Sequence, residues 1–204
     1  MKKIVLATGN EGKRKEFERM LEGKAEIQSL KDYPDCPEVE ETGTTFAENA
    51  KLKADFVAQY TGLPALADDS GLEVDALDGA PGVYSARFAG PEKDDDKNNQ
   101  KLLDELRDVS DAERTARFVC ALAYIDPNKK TEEMILGHCE GTIGREPKGE
   151  NGFGYDPLMY IPSFGKTLAE MSADEKNKIS HRGRASSNYR TCGTNCNNGG
   201  DRDD

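Results

Sequence analysis

No stretch of this sequence is apolar over the length of a membrane span, so no membrane partner is expected. Basic residues are in deficit, 28 Lys+Arg against 39 Asp+Glu, for a formal net charge of −11. Such a field repels nucleic acid and anionic membrane, and neither is expected as a partner. A phosphorylated small molecule stays open where local Lys/Arg and a divalent cation override that field. The start, Met1-Lys-Lys-Ile-Val-Leu-Ala7, enters a strand-like run and lacks a signal-peptide cleavage pattern, so a cytoplasmic location is expected. Internal repeats are absent. Of five cysteines, Cys36, Cys120 and Cys139 are widely spaced, and Cys120 reads as a small core residue. Cys192 and Cys196 form the close pair but lack a second Cys/His pair at metal spacing, which argues against zinc. The 204 residues suggest one domain, whole or two-lobed, with ample length for a core.

What is present centres on Pro64-Ala-Leu-Ala-Asp-Asp-Ser-Gly-Leu-Glu-Val-Asp75. Ala65 to Ala67 read as a short buried segment that stops at Asp68 and Asp69. Ser70 and Gly71 follow, and Leu72 to Asp75 alternate apolar and polar like a half-buried strand. Two acids are thus expected where a strand ends and the backbone turns, the place where α/β proteins set their chemistry. Adjacent carboxylates beside a buried strand call for a cation. The same residues also suit a plain turn, and the stretch alone leaves both readings open.

Upstream, Ile4 to Thr8 is an apolar run ending in Thr-Gly-Asn10, and Glu11 to Leu21 is an amphipathic helix with Phe17, Met20 and Leu21 on one face. A strand, a glycine turn and a helix with an early lysine present N–H groups to an anion. The spacing is neither a Walker A loop nor Gly-x-Gly-x-x-Gly, and an ordinary βα turn fits as well. A strand around Ile27 and a polar loop lead to Glu41. Thr45-Phe-Ala-Glu48 has capping-box form and opens a helix to about Tyr60, with Leu52, Phe56 and Tyr60 as its expected core stripe. Asn49 and Lys53 share a neighbouring face. Glu41 is a loop carboxylate able to join Asp69 around a metal.

Gly79-Ala-Pro-Gly82 is turn chemistry, and Arg87 follows soon after. Asp94 to Asp96 lead into a helix over Asn98 to Leu106. Arg117 to Ile125 reads as a central strand, paired antiparallel with Met134 to Ile143, and His138 as structural. Gly152-Phe-Gly-Tyr-Asp156 puts two aromatics and a carboxylate on a glycine backbone, suited to stacking on a planar ring whose N–H edge Asp156 could take, or to anchoring a hairpin loop. Ser172-Ala-Asp-Glu175 is a second capping box for a helix carrying Lys176, which ends near Ser180-His-Arg-Gly183. From Ser186 on there is no apolar period, and a mobile tail is expected.

Together these pieces describe a site for a purine nucleoside triphosphate with Mg²⁺. Thr8-Gly-Asn-x-Gly-Lys13, Thr45-Phe-x-Glu-Asn49, Ala67-Asp-Asp-Ser-Gly-Leu72, Gly79-Ala-Pro-Gly-x-Tyr-Ser-Ala-Arg87, Phe153-Gly-Tyr-Asp-Pro157 and Ser180-His-Arg-Gly183 closely resemble the inosine triphosphate pyrophosphatase family. The resemblance runs from about Lys3 to Ala185. It implies an α/β fold, a long mixed β-sheet with flanking helices in two lobes and the active cleft between them. Residues 1–185 would be that domain, and residues 186–204 an atypical tail where relatives carry a Leu- and Lys-rich helix. The implied activity is hydrolysis of ITP, dITP and XTP to the monophosphate and pyrophosphate, by a cytoplasmic homodimer. Carried over by position, Asp69 is the catalytic base and a Mg²⁺ ligand, and Glu41 a second ligand. Thr8, Gly9, Asn10, Glu11, Gly12, Lys13, Lys53 and Arg87 form the phosphate clamp, and Ser70 is a nucleotide contact. Phe153, Gly154, Tyr155, Asp156, Lys176, His181 and Arg182 form the base pocket. Competing readings are a nucleotide-binding protein without turnover, a pyrophosphatase for other modified nucleotides, and a haloacid dehalogenase-type phosphatase, whose Asp-x-Asp spacing Asp68-Asp-Ser-Gly71 does not supply.

Overall fold

A computed structural model describes residues 2–180. Seven strands form one mixed sheet in the order β2-β1-β3-β4-β5-β6-β7. They are β1 (Lys3–Leu6), β2 (Glu26–Ser29), β3 (Ala65–Val74), β4 (Thr115–Asp126), β5 (Thr131–Ile143), β6 (Met159–Ile161) and β7 (Lys166–Thr167). The strands β2, β1 and β3 run parallel, and the remaining neighbours pair antiparallel. The helices are α1 (Glu11–Leu21), α2 (Phe46–Thr61), α3 (Asp95–Glu105) and α4 (Ala173–Ile179). Among the described residues no helix is long and apolar enough to cross a membrane.

The central stretch differs from its sequence reading. Asp68, Asp69, Ser70 and Gly71 neither end a strand nor turn; they lie inside β3, paired residue for residue with β4 from Leu122 to Val119. The strand that ends is β1, whose pairing with β3 stops at Leu6 opposite Leu66. Beyond that point the edge of β3 is covered by the 3₁₀ segment Gly82–Arg87, whose Ser85 hydroxyl accepts from Leu72 N–H at 2.9 Å. Gly71 admits this close cover: a Cβ there would stand 2.5 Å from Ser85 Oγ. A local turn signature gave way to long-range pairing with β4, which holds both acids in extended backbone.

Along β3, apolar core residues lie on either side of these four. One cluster gathers Leu72, Val74, Leu102, Phe118, Ile143 and Met159. The others hold Val5, Ala67 and Ala121 against α2, and Leu6, Phe17, Leu66 and Leu122 under α1. Fully buried Arg114 ties the end of α3 to the end of β5 by donating to the carbonyls of Leu106, Ile143 and Gly144.

The packing of α2 is the second correction. Leu52, Phe56 and Tyr60 point outward, and the buried stripe is Phe46, Ala50, Ala54, Val57 and Ala58. It meets Ala65 and Ala67 of β3 and Ala121 and Ala123 of β4, so small side chains face small side chains and the helix lies close to the sheet. That proximity brings Asn49 within reach of β3. The N-cap is as read at Thr45, which accepts from Glu48 N–H, but the returning Glu48 carboxylate takes Thr44 N–H. The box at Ser172 closes in both directions.

Candidate active site

Successive residues of a strand point to opposite faces, so Asp68 and Asp69 diverge. Asp68 faces α1, where Lys13 Nζ lies 3.2 Å from its Oδ2. Asp69 faces α2, where Asn49 Nδ2 donates to its Oδ2 at 3.0 Å and Lys53 Nζ stands 4.0 Å from its Oδ1. Asn49 also accepts from Gly43 N–H at 2.7 Å, which ties the Glu41 loop to the same spot. Glu41 joins through Lys53, 3.1 Å away. Burial pushes the Asp69 carboxyl above the ordinary carboxylate range; Lys53 and Lys13 pull it back, and Glu41 adds to the rise. Burial alone would lower the Lys53 ammonium, but Asp68, Asp69 and Glu41 together hold it above the usual lysine value. The result is a buried cluster of alternating charge at the end of β1, between the cores.

Glu41 and Asp69 form a two-carboxylate donor set that shares one lysine. Among the described residues no group of three or more His, Cys, Asp or Glu could hold a metal by itself. Two carboxylates completed by water and substrate phosphates suit Mg²⁺, which is seldom caged by protein alone. The residues present fit a hard divalent cation.

The turn from β1 into α1 supplies the anion side. Asn10 is the N-cap, its side chain accepting from Lys13 N–H at 3.0 Å. Thr8, Gly9, Asn10 and Glu11 line an open hollow of about 210 Å³ together with Ser29 and Lys31. First-turn N–H groups and the positive helix end are the chemistry that suits an anion. The Glu11 carboxylate turns to Arg14 and Lys31, and its hydrogen bond with Arg14 holds it down to about 2.

The glycine loop between β5 and β6 comes over the same helix. Phe153 lies against Gly12 so closely that a Cβ on Gly12 would stand 2.7 Å from the ring. Lys176 Nζ sits 4.8 Å from the Phe153 ring centroid and 2.6 Å from both Asp156 and Glu16. Burial opposes charge on Lys176, yet Asp156 and Glu16 keep its ammonium above the usual value. Asp156 is buried and also accepts from Phe153 N–H at 3.0 Å, so its carboxylate braces the loop. Tyr155 is turned inward, its hydroxyl donating to Ser85 O at 2.6 Å.

A protein-family model described as the Ham1 family matches residues 4–191. The chain belongs to the Ham1 family. A relative from an Exiguobacterium strain named dITP/XTP pyrophosphatase is 60% identical over 184 residues, 90% of this chain and 92% of the relative. A Listeria monocytogenes relative of the same name is 55% identical over 186 residues, 91% of each chain. A Coxiella burnetii HAM1 structure matches at a TM-score of 0.86 and 44% identity, covering 96% of this chain and all (100%) of that one. A Staphylococcus aureus Ham1 structure matches at 0.85 and 40%, covering 95% and 99%.

In this Ham1-family chain the structure brings Lys13, Glu41, Lys53 and Asp69 into one cluster, and Gly12, Phe153, Asp156 and Lys176 into another beside it. Arg87 stacks on Tyr84, its guanidinium 4.9 Å from the ring centroid, and lines a separate hollow with Phe88 and Lys101. Ser70 is half-buried on β3 beside the acids. His181 and Arg182 lie outside the described residues, as do Cys192, Cys196 and the expected tail. Three contributors were absent from the sequence-based site. Asp68 counted there only as half of a pair, and Asn49 only as a neighbour of Lys53. Glu16 carried a legible signal, lying one helical turn from Gly12 on the face toward Phe153.

Proposed function

We propose that this protein hydrolyses ITP, dITP and XTP to the nucleoside monophosphate and pyrophosphate, clearing deaminated purines from the nucleotide pool. The observation that carries the reading is Asp69, a buried carboxylate poised beside Lys13, Lys53 and Glu41. The name shared by relatives at 55–60% identity supports it. The triphosphate lies between the α1 N-terminus and β3, its charge met by the first-turn N–H groups, Lys13 and Lys53. Asp69 accepts a proton from a water molecule as that oxygen bonds to the α-phosphorus. The bond from that phosphorus to the β-phosphate bridging oxygen breaks, and pyrophosphate leaves with the electron pair. Mg²⁺, held by Glu41 and Asp69 with the phosphates, would neutralise charge developing on the phosphoryl oxygens. Asn49 fixes the orientation of Asp69, and Lys53 opposes the rise that burial imposes on its carboxyl.

At the other end Phe153 offers a face to the purine, and His181 and Arg182 supply donors to its 6-oxo oxygen. Adenine carries a 6-amino group there and is refused. The active form is a cytoplasmic homodimer, a state that sedimentation at micromolar protein would read.

Pyrophosphate release from ITP, dITP, XTP, ATP and GTP with Mg²⁺ tests the reading. Turnover of the first three is expected, lost on chelation and reduced about 10²–10⁴-fold in Asp69→Asn with ITP still bound. Equal turnover of all five would defeat the selectivity, and undiminished turnover in Asp69→Asn would defeat the assignment of the base.

A further inference from the structure

Gly154 is held at both of its peptide groups by one face of α3. Its N–H donates to Asp95 Oδ2 at 3.0 Å, and its carbonyl accepts from Asn99 Nδ2 at 3.0 Å. Asp95 and Asn99 are four residues apart and therefore neighbours on the helix. The two bonds bracket φ and ψ of a residue whose φ is +63°, in a loop where Gly152 stands at +72°. A glycine backbone with that freedom samples many conformations unless it is tied. The angle at Gly154 decides how Phe153 and Tyr155 are set relative to each other. Tyr155 is anchored independently, by its hydroxyl on Ser85 O. Fixing Gly154 therefore aims Phe153.

Asn99 carries a further sign of this duty. It is buried, and its Oδ1 has no hydrogen-bond partner among the described residues. A buried acceptor without a partner is costly, and an apolar residue of similar size would avoid that cost. Exchanging the amide oxygen and nitrogen would set oxygen against the Gly154 carbonyl, so the orientation is forced. The helix is itself held from the side by Asn98, which donates to Ala86 O and accepts from Ala89 N–H.

We propose that Asp95 and Asn99 are positioning residues, fixing the backbone of Gly154 so that Phe153 presents its ring to the base of the nucleotide. The proposal rests on the pyrophosphatase reading and deepens it. The variants are Asn99→Leu, Asp95→Ala and Asp95→Asn, each alone and combined with Phe153→Ala. Steady-state kinetics on ITP and amide hydrogen exchange over residues 152–156 are the readouts. Asn99→Leu and Asp95→Ala are expected to raise KM about tenfold with kcat within about twofold, and to speed exchange in the loop. Asp95→Asn keeps an acceptor toward Gly154 N–H and recovers most of what Asp95→Ala loses. In the Phe153→Ala background neither change adds to the loss, because the residue being aimed is gone. Exchange that stays slow, KM that does not move, or losses that add to Phe153→Ala would each overturn the proposal. Asp95 is exposed, so its variants fold if Asn99→Leu does not. A parent that releases no pyrophosphate would overturn the functional reading instead, and the ITP dissociation constant then replaces KM.

Discussion

Single residues here do work that their neighbours cannot share. Gly12 is one: it leaves room for Phe153 at the start of α1, and any side chain at that position meets the ring. Gly12→Ala should therefore lift Phe153 off the helix and raise KM for ITP about tenfold with a smaller change in kcat, readable by steady-state kinetics. Lys176 is another. Its folded pKa is raised above the unfolded value by Asp156 and Glu16. The stability it contributes is therefore fully present below about pH 10.4, the unfolded lysine value, and is lost as pH rises through the higher folded value. Urea midpoints compared between pH 8 and pH 11 should fall more steeply for the parent than for Lys176→Met. Asp68 and Asp69 were legible as acids bound for one site, but not as a diverging pair. Their sequence, Asp-Asp-Ser-Gly, is what a turn uses, and only the twelve-residue partner β4 makes it strand.

Elements were legible where their signals were local. The antiparallel β4–β5 pair follows apolar runs separated by Asp126-Pro-Asn-Lys129, and the caps of α1, α2 and α4 lie at Asn10, Thr45 and Ser172 as hydroxyl or amide chemistry requires. The buried face of α2 was not. Large apolar residues at helical spacing looked like its core stripe, whereas the sheet accepts alanines because the helix lies close. Periodicity carries no information about interaxial distance. Ala54→Leu should destabilise by about 1–3 kcal/mol through overpacking, and Leu52→Gln should shift stability by no more than about 0.5 kcal/mol. Urea unfolding of the two variants checks this directly, and the reverse order would restore the other face to the core. The same close approach positions Asn49 and Lys53, so Ala54→Leu should also lower kcat.

At the scale of the molecule, β3 joins the parallel half of the sheet to its antiparallel half, and the cluster sits at that junction. All the described contributors fall between Thr8 and Lys176, and His181 and Arg182 follow shortly after. We expect a chain ending at Ala185 to retain ITP turnover within about twofold of the full chain, since no proposed role falls later; pyrophosphate release from the two chains decides it. The alternation along β3 has a consequence for how such a chain can change over time. Loops can lengthen and surfaces can drift, but β3 cannot lose one position ahead of its acids. Side chains on a strand have a period of two, so a deletion there would present Asp69 to Lys13 and Ser70 to Lys53. The phosphate lysine would keep a carboxylate, and the reacting water would lose its base. Composition at this strand is negotiable in places; its count of residues is not.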